Sequence, residues 1–413
     1  MNKRATQFSV LAVVLLALAL RISAAAYWHR TAESEGHLFR LGDSHSYWTL
    51  AGQIARGLPY QYGSANASVF RAPVYPLVLA PLTLVANEQA AVWGARLLGC
   101  VLGSLSVALI MSLTRSLVDS TCGSRLANRA MLCSGLLAAV YPGAIGMSVV
   151  ILSEAVFCPL MLVYFLCWQQ GWKTSTQSRR WALGVGAGCA AGLAVLARPS
   201  WLLFAPFVFV IGITFGPQRA RHATIFIATL AGMVLTMSPW WVRNASVTGE
   251  FVLTTLQVGP SLYDGMHDGA TGASDEGMAF MSRFAEEQLA EDATSSSLRS
   301  AFECSTFEYR LNRRAQRAAI EWMVTHPADV ALLAWRKFLR TWSLWPNGGE
   351  VGSSTLRLLL TVGCFGVLAL ACVGSQSSWP LKLQLQVDGT SATFYWLPTA
   401  YFTLLHMIFV GSI

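Results

Sequence analysis

The chain has 413 residues, 54% of them hydrophobic and 12% charged, with a formal net charge of +8 and a mean hydropathy of +0.48. Soluble domains carry roughly 25% charged residues, so a water-facing globule is excluded and the recurrent long apolar stretches demand membrane-crossing helices. The basic residues are dispersed at the ends of those stretches, which is the positive-inside pattern; the charge therefore sets topology and points to no nucleic-acid partner.

In chain order, residues 1–27 form the first transmembrane helix, with Lys3 and Arg4 inside. Its Ser23-Ala-Ala-Ala26 end mimics a signal-peptide cleavage site, but retention is the preferred reading. A first outer loop over 28–90 carries Asp43, His45, Tyr47 and Arg71. Within it the apolar segment 73–86 holds Pro73, Pro76 and Pro81 and is too short to span. The transmembrane bundle, 91–242, follows from apolar segments at 91–114, 131–151, 153–169, 181–198, 200–215 and 223–242. A large outer loop over 243–343 comes next, and C-terminal transmembrane helices over 344–413 close the chain. The fold class is all-α: about nine or ten transmembrane helices, with interfacial helices in the outer loops.

Three short segments set the orientation. Residues 115–130 hold Arg115, Arg125 and Arg129 against Asp119; 170–180 hold Lys173, Arg179 and Arg180; and 217–222 hold Arg219, Arg221 and His222. All three read as cytoplasmic. That puts 28–90, Glu154, Arg198 and 243–343 on the outer side of the inner (plasma) membrane. Seven basic residues at 310–340 face only Glu321 and Asp329, against the charge rule, although long loops are largely exempt from it. With Trp335, Trp342 and Trp345 they suit an interfacial helix on anionic headgroups. No internal repeat is visible. Gly184, Gly188 and Gly192, at four-residue spacing, allow close helix packing. Most of the nine cysteines lie in apolar segments and read as small buried hydrophobes.

Charges at the edge of a membrane bundle are costly and kept for function. Asp43 and Glu154 are the acids so placed; Arg21, Arg71, Arg96, Arg198 and Arg243 are the bases. One carboxylate suits a general base, and several guanidiniums suit a phosphate. The plainer readings stand beside these. Asp43 starts a helix as its cap; Glu154 pairs with an arginine; Arg21 and Arg96 partner acids; Arg198 and Arg243 anchor at the interface. Trp240, Trp241 and Trp345 sit in the aromatic belt. No ligand cluster has metal spacing, and a divalent metal stays possible, with His45 beside Asp43. Asn66-Ala-Ser68 and Asn244-Ala-Ser246 match the glycosylation sequon, a pattern that chance supplies often. Thr294-Ser-Ser-Ser297 reads as a loop.

The run Gly42-Asp43-Ser-His-Ser-Tyr47, then Gly57, then Arg71-Ala-Pro73-Val-Tyr75-Pro76, resembles the first outer loop of the bacterial relatives of protein O-mannosyltransferases. These are GT-C-fold glycosyltransferases that use polyprenyl-phosphate sugars. Tyr141-Pro142 with Ile151-Leu-Ser-Glu154, Ala197-Arg198-Pro199 and Pro239-Trp-Trp-Val-Arg243-Asn244 resemble later family segments in the family's order. The resemblance covers most of 8–260. It implies an inverting enzyme with Asp43 as catalytic base, and Tyr47, Arg71, Glu154, Arg198 and Arg243 binding substrate. The implied partners are a polyprenyl-phosphate-linked sugar donor, membrane lipids and an envelope acceptor of unknown identity. Two departures stand out. Many relatives pair two acids where this chain has Asp43-Ser44, and many continue past the last helix with an Arg-Tyr-Arg-Pro-like segment where this chain reads His406 to Ile413. These keep open a catalytically inactive relative acting as an assembly partner. A lipid-linked glycan transporter or flippase is the other alternative; it would want mid-membrane charges and repeat symmetry.

Overall fold

The computed structural model describes residues 3–39, 41–63, 67–216, 218–275, 278–295, 306–346, 354–377 and 396–409. Among the described residues every regular element is helical, and the chain is an all-α, multi-pass membrane protein. It divides into two compact units.

The first unit comprises Met1–Leu58, Ala72–Met237 and Leu359–Tyr395. Its helices are α1 (Lys3–Ser34), α2 (Gly42–Ala55), α3 (Val74–Leu79), α4 (Glu88–Cys122), α5 (Ser124–Val140), α6 (Pro142–Val149), α7 (Glu154–Lys173), α8 (Gln177–Ala197), α9 (Phe204–Phe215) and most of α10 (Arg219–Thr248). The second unit comprises Pro59–Arg71, Ser238–Leu358 and Trp396–Ile413. It holds the end of α10, then α11 (Val258–Gly265), α12 (Phe280–Ser295), α13 (Phe307–Thr325) and α14 (Pro327–Thr341). After α15 (Ser354–Ser377), which the two units share, it also holds α16 (Leu397–Ile408).

Six helices, α1, α4, α7, α8, α10 and α15, are long and apolar enough to cross a bilayer, and α5 with α6 makes a seventh if that bent pair is one span. Three shorter apolar helical stretches, Val74–Leu84, Pro199–Phe215 and Leu397–Ile408, complete the set among the described residues. The stretch Val74–Leu84 is a six-residue helix followed by a 3₁₀ turn. At ~1.5–2 Å per residue its 11 residues reach no more than about 20 Å, short of a bilayer's ~30 Å.

The segment expected as one span at 131–151 breaks by 56° at Tyr141, where Pro142 opens α6. Breaking a helix inside a membrane orphans its last carbonyls. Arg21, 1% exposed, meets that need: its guanidinium donates to the Ala138 and Ala139 carbonyls at 3.3 Å, to Ala17 at 3.1 Å and to the Ser148 hydroxyl at 3.2 Å. Arg21 therefore partners backbone carbonyls and a serine hydroxyl, not the acid expected of it. Gly103 of α4 makes room, since a Cβ there would meet Ser148 and the Arg21 Nε. The Gly184–Gly188–Gly192 row packs against α10 in the same way, where added Cβ atoms would fall on Ala228, the Thr229 carbonyl and Thr236.

Other expectations shift. Of the described cysteines only Cys100 is fully buried, and Cys133 and Cys372 are exposed on their apolar helices. A thiol facing lipid costs as little as one facing protein, because both surroundings are apolar. Thr294 and Ser295 still belong to α12, while Ser296 and Ser297, like Asn66, lie outside the described residues. Helix α10 runs on through Arg243 to Thr248. Asn244 is fully buried there and donates to the Val252 carbonyl at 3.2 Å, which closes it to glycosylation. Trp240 is also buried, its indole N–H bonded to the Thr254 carbonyl at 2.7 Å.

Candidate active site

In the first unit the site is built on helix ends. Leu41 is the N-cap of α2 and makes no side-chain cap bond, so Asp43 is a first-turn residue and not the cap. It is exposed, where the positive end of the helix dipole favours its charge. Gly57, with φ +65°, closes α2: its N–H reaches the Ile54 carbonyl and that of Leu58 reaches Gln53, the paired bonds of a Schellman end. Tyr47 lies four residues after Asp43, one turn deeper on the same face. It is 7% exposed and meets the ring of Tyr75 edge-on at 5.2 Å.

Glu154 opens α7, and Arg198 follows the last turn of α8. The Arg198 Nη1 donates to the Glu154 Oε1 in an ion pair whose side chains are 26% and 21% exposed. Ser153 adds a 3.4 Å bond to the other carboxylate oxygen. The Arg198 backbone is extended and pinned on both sides, its N–H on Ala194 and its carbonyl on the Trp201 N–H. Trp201, 1% exposed, anchors that turn among Phe157, Tyr164, Phe165 and Phe204. Tyr47 and Tyr75 pack in one cluster with Ala155 and Val156, the residues that follow Glu154 on α7. Tyr47, Glu154 and Arg198 thus come together, with Asp43 one turn from them along α2.

Arg96, 2% exposed, donates to the Leu38 carbonyl at 2.8 Å and pairs with His29. These bonds hold the segment leading into α2. At the opposite end of the unit the three basic segments gather. Lys173 donates to the Ser116 carbonyl, and Arg180 and Arg221 converge on the Thr174 carbonyl at 2.9 and 3.5 Å.

No protein-family model matches the chain, and no curated protein does. Among solved structures, the archaeal oligosaccharyltransferase AglB from Archaeoglobus fulgidus, in complex with an inhibitory peptide and a dolichol-phosphate, aligns at a TM-score of 0.47 and 13% identity. The alignment covers 98% of this chain and 48% of that one. The chain therefore spans about half the length of that protein.

Arg71 and Arg243 belong to the second unit. Arg71 donates to the Gln257 Oε1 at 3.1 Å and lies over the Phe70 ring. Arg243 donates to the Ser68 carbonyl at 2.7 Å and the Tyr60 carbonyl at 3.5 Å, between the rings of Tyr60 and Trp240. Glu308 accepts the Ser68 and Val69 N–H groups at 2.7 and 3.1 Å, and burial raises its pKa. Sequence reasoning missed Glu308 and Gln257, whose partners lie far away in the chain. It also left Tyr75 unassigned, although Tyr75 stands in the Arg71–Pro76 motif. Among the described residues no three of His, Cys, Asp and Glu gather as a metal site, and His45 meets Phe39 edge-on at 5.8 Å.

Proposed function

We infer that the chain is a membrane glycosyltransferase of the GT-C type. It takes a sugar from a polyprenyl-phosphate donor to a cell-envelope lipid, glycan or protein at the outer face of the plasma membrane. The observation that carries this reading is the cluster at one end of the first unit: the Glu154–Arg198 pair with Tyr47, one turn from exposed Asp43.

In this reading the Asp43 carboxylate accepts the proton of an acceptor hydroxyl, whose oxygen attacks the anomeric carbon. The bond from that carbon to the phosphate oxygen breaks with inversion, and the lipid phosphate leaves with the electron pair. Charge grows on that phosphate in the transition state, where a fixed guanidinium is most effective. Glu154 keeps Arg198 extended, and Tyr47 offers a hydroxyl for substrate. Phosphate binding by Arg71 and Arg243, also implied by the resemblance, is a separate proposal. Arg71→Gln and Arg243→Gln raise the donor KM if it holds, and only lower thermal stability if both side chains merely brace 59–71.

The test is sugar release from a panel of labelled polyprenyl-phosphate hexoses and pentoses, in membranes bearing wild type or Asp43→Asn. Loss of a positioned base predicts a fall of about 10²–10⁴-fold at unchanged protein level. Turnover that survives the substitution moves the base elsewhere. Silence with every donor in both forms favours a catalytically inactive relative acting as an assembly partner. For that second reading Ser44, buried where many relatives carry a second acid, is the specific observation.

A further inference from the structure

The basic region at 310–340 separates into distinct roles within the second unit. Arg310 pairs with Asp292 at 2.6 Å, and Arg314 pairs with Glu287 at 3.2 Å and with Glu291, all on α12. Lys337 is 0% exposed on the inner face of α14, beside Leu333, which packs with Leu262, Met266 and Ala319. Arg313, Arg317 and Arg336 stay exposed, and Arg340 partly so.

Helix α14 also has a second apolar face. Leu332, Trp335, Leu339 and Trp342 follow one another at three- and four-residue steps, which aligns them in a single stripe. They are 47%, 54%, 52% and 38% exposed. Arg336 and Arg340 run along one edge of that stripe, in the row that begins with Asp329. An exposed stripe of tryptophan and leucine edged by arginine is the composition of a helix lying in the headgroup–acyl boundary.

The Lys337 Nζ donates at 2.8 Å to the carbonyl of Ile408, the last residue of the apolar helix α16. That bond seats the buried face of α14 against the end of α16, so the Leu332–Trp335–Leu339–Trp342 stripe is turned away from it. The spanning helix α15 begins at Ser354, a short stretch of chain beyond Trp342.

We propose that α14 is a membrane-surface helix, with its Leu332–Trp335–Leu339–Trp342 stripe in the boundary of an anionic phospholipid leaflet and Arg336 and Arg340 on the headgroups. It joins the second unit to the lipid surface independently of any sugar chemistry.

The test uses the full chain, reconstituted in phosphatidylcholine vesicles with and without phosphatidylglycerol. An environment-sensitive fluorescent amino acid replaces Leu339 in one variant and Leu332 in another. The expected result is blue-shifted emission at both positions, quenched by lipids doxyl-labelled near the headgroup and strengthened by phosphatidylglycerol. Arg336→Gln with Arg340→Gln then lowers the phosphatidylglycerol-dependent docked-to-undocked ratio roughly thirtyfold. Water-like emission at both positions overturns the proposal. So does blue-shifted emission that lipid quenchers do not reach, because protein, such as a second copy of the chain, would then cover the stripe.

Discussion

Glu154 and Arg198 are partly buried charges at a membrane boundary, each expensive alone. Arg198→Ala leaves the carboxylate uncompensated and is expected to cost about 1–3 kcal/mol of stability, as is Glu154→Ala. The double variant should cost clearly less than the two losses added, since it removes both halves of the pair. A thermal-unfolding cycle in detergent reads this out; additivity would mean the pair carries no coupling. The sequence made both residues legible, because a charge among apolar segments is conspicuous, and it left their pairing open. Arg21 and Arg96 were equally conspicuous, yet their partners were not legible. Ala138, Ala139 and Leu38 contribute carbonyl groups, which every residue carries and which become acceptors only where a helix breaks or a segment crosses. Asp43 was singled out by its motif; its place in the first turn of α2 came only from the fold.

At the scale of elements, the apolar periods located the long helices, but not how they bend or meet. The break at Tyr141 had its signal in Pro142, which a hydropathy window averages away. The tight contact of α4 and α6 rests on Gly103, where a larger residue collides with Ser148 and the Arg21 guanidinium. Gly103→Leu is therefore expected to destabilise by about 1–3 kcal/mol, a cost of overpacking, and an unchanged melting temperature would refute that packing. The 243–343 region read as a loop with interfacial helices, and its charge excess looked anomalous because only 310–340 was weighed. Helix α12, which lies before it, carries the acids that pair with Arg310 and Arg314. Lys337, also counted there, is buried, and desolvation lowers its pKa from 10.5 to about 8. Between those values the unfolded chain holds a proton that the folded chain has released, so stability rises with pH across that window. The rise amounts to about 3 kcal/mol at ~1.4 kcal/mol per pKa unit. Lys337→Met should flatten it; a melting curve that falls over the same range would contradict the assignment.

For the whole chain, the decisive question is which side of the membrane the Asp43 end faces. Within the first unit the geometry already ties several loops together. The Glu154–Arg198 pair joins the start of α7 to the end of α8, so those helices are antiparallel and their other ends, at Lys173 and Gln177, share the opposite side. There Lys173, Arg180 and Arg221 meet the Ser116 and Thr174 carbonyls, which unites three segments whose arginine and lysine content each reads as cytoplasmic. Tyr47 and Ala51 of α2 pack in one cluster with Ala155 and Val156 at the start of α7, so α2 belongs to the other end. On the proposed reading the charge rule puts the Asp43 end outside, where a flipped polyprenyl-phosphate sugar would be met. His37 and Ser175 are exposed, one near each end. With a membrane-impermeant maleimide on intact cells, His37→Cys is expected to label above the background of the native thiols. Ser175→Cys should label only after permeabilisation. The reverse pattern would put the site in the cytoplasm and remove the outer-leaflet donor from the reading. Labelling of both in intact cells would break the antiparallel pairing of α7 and α8 itself.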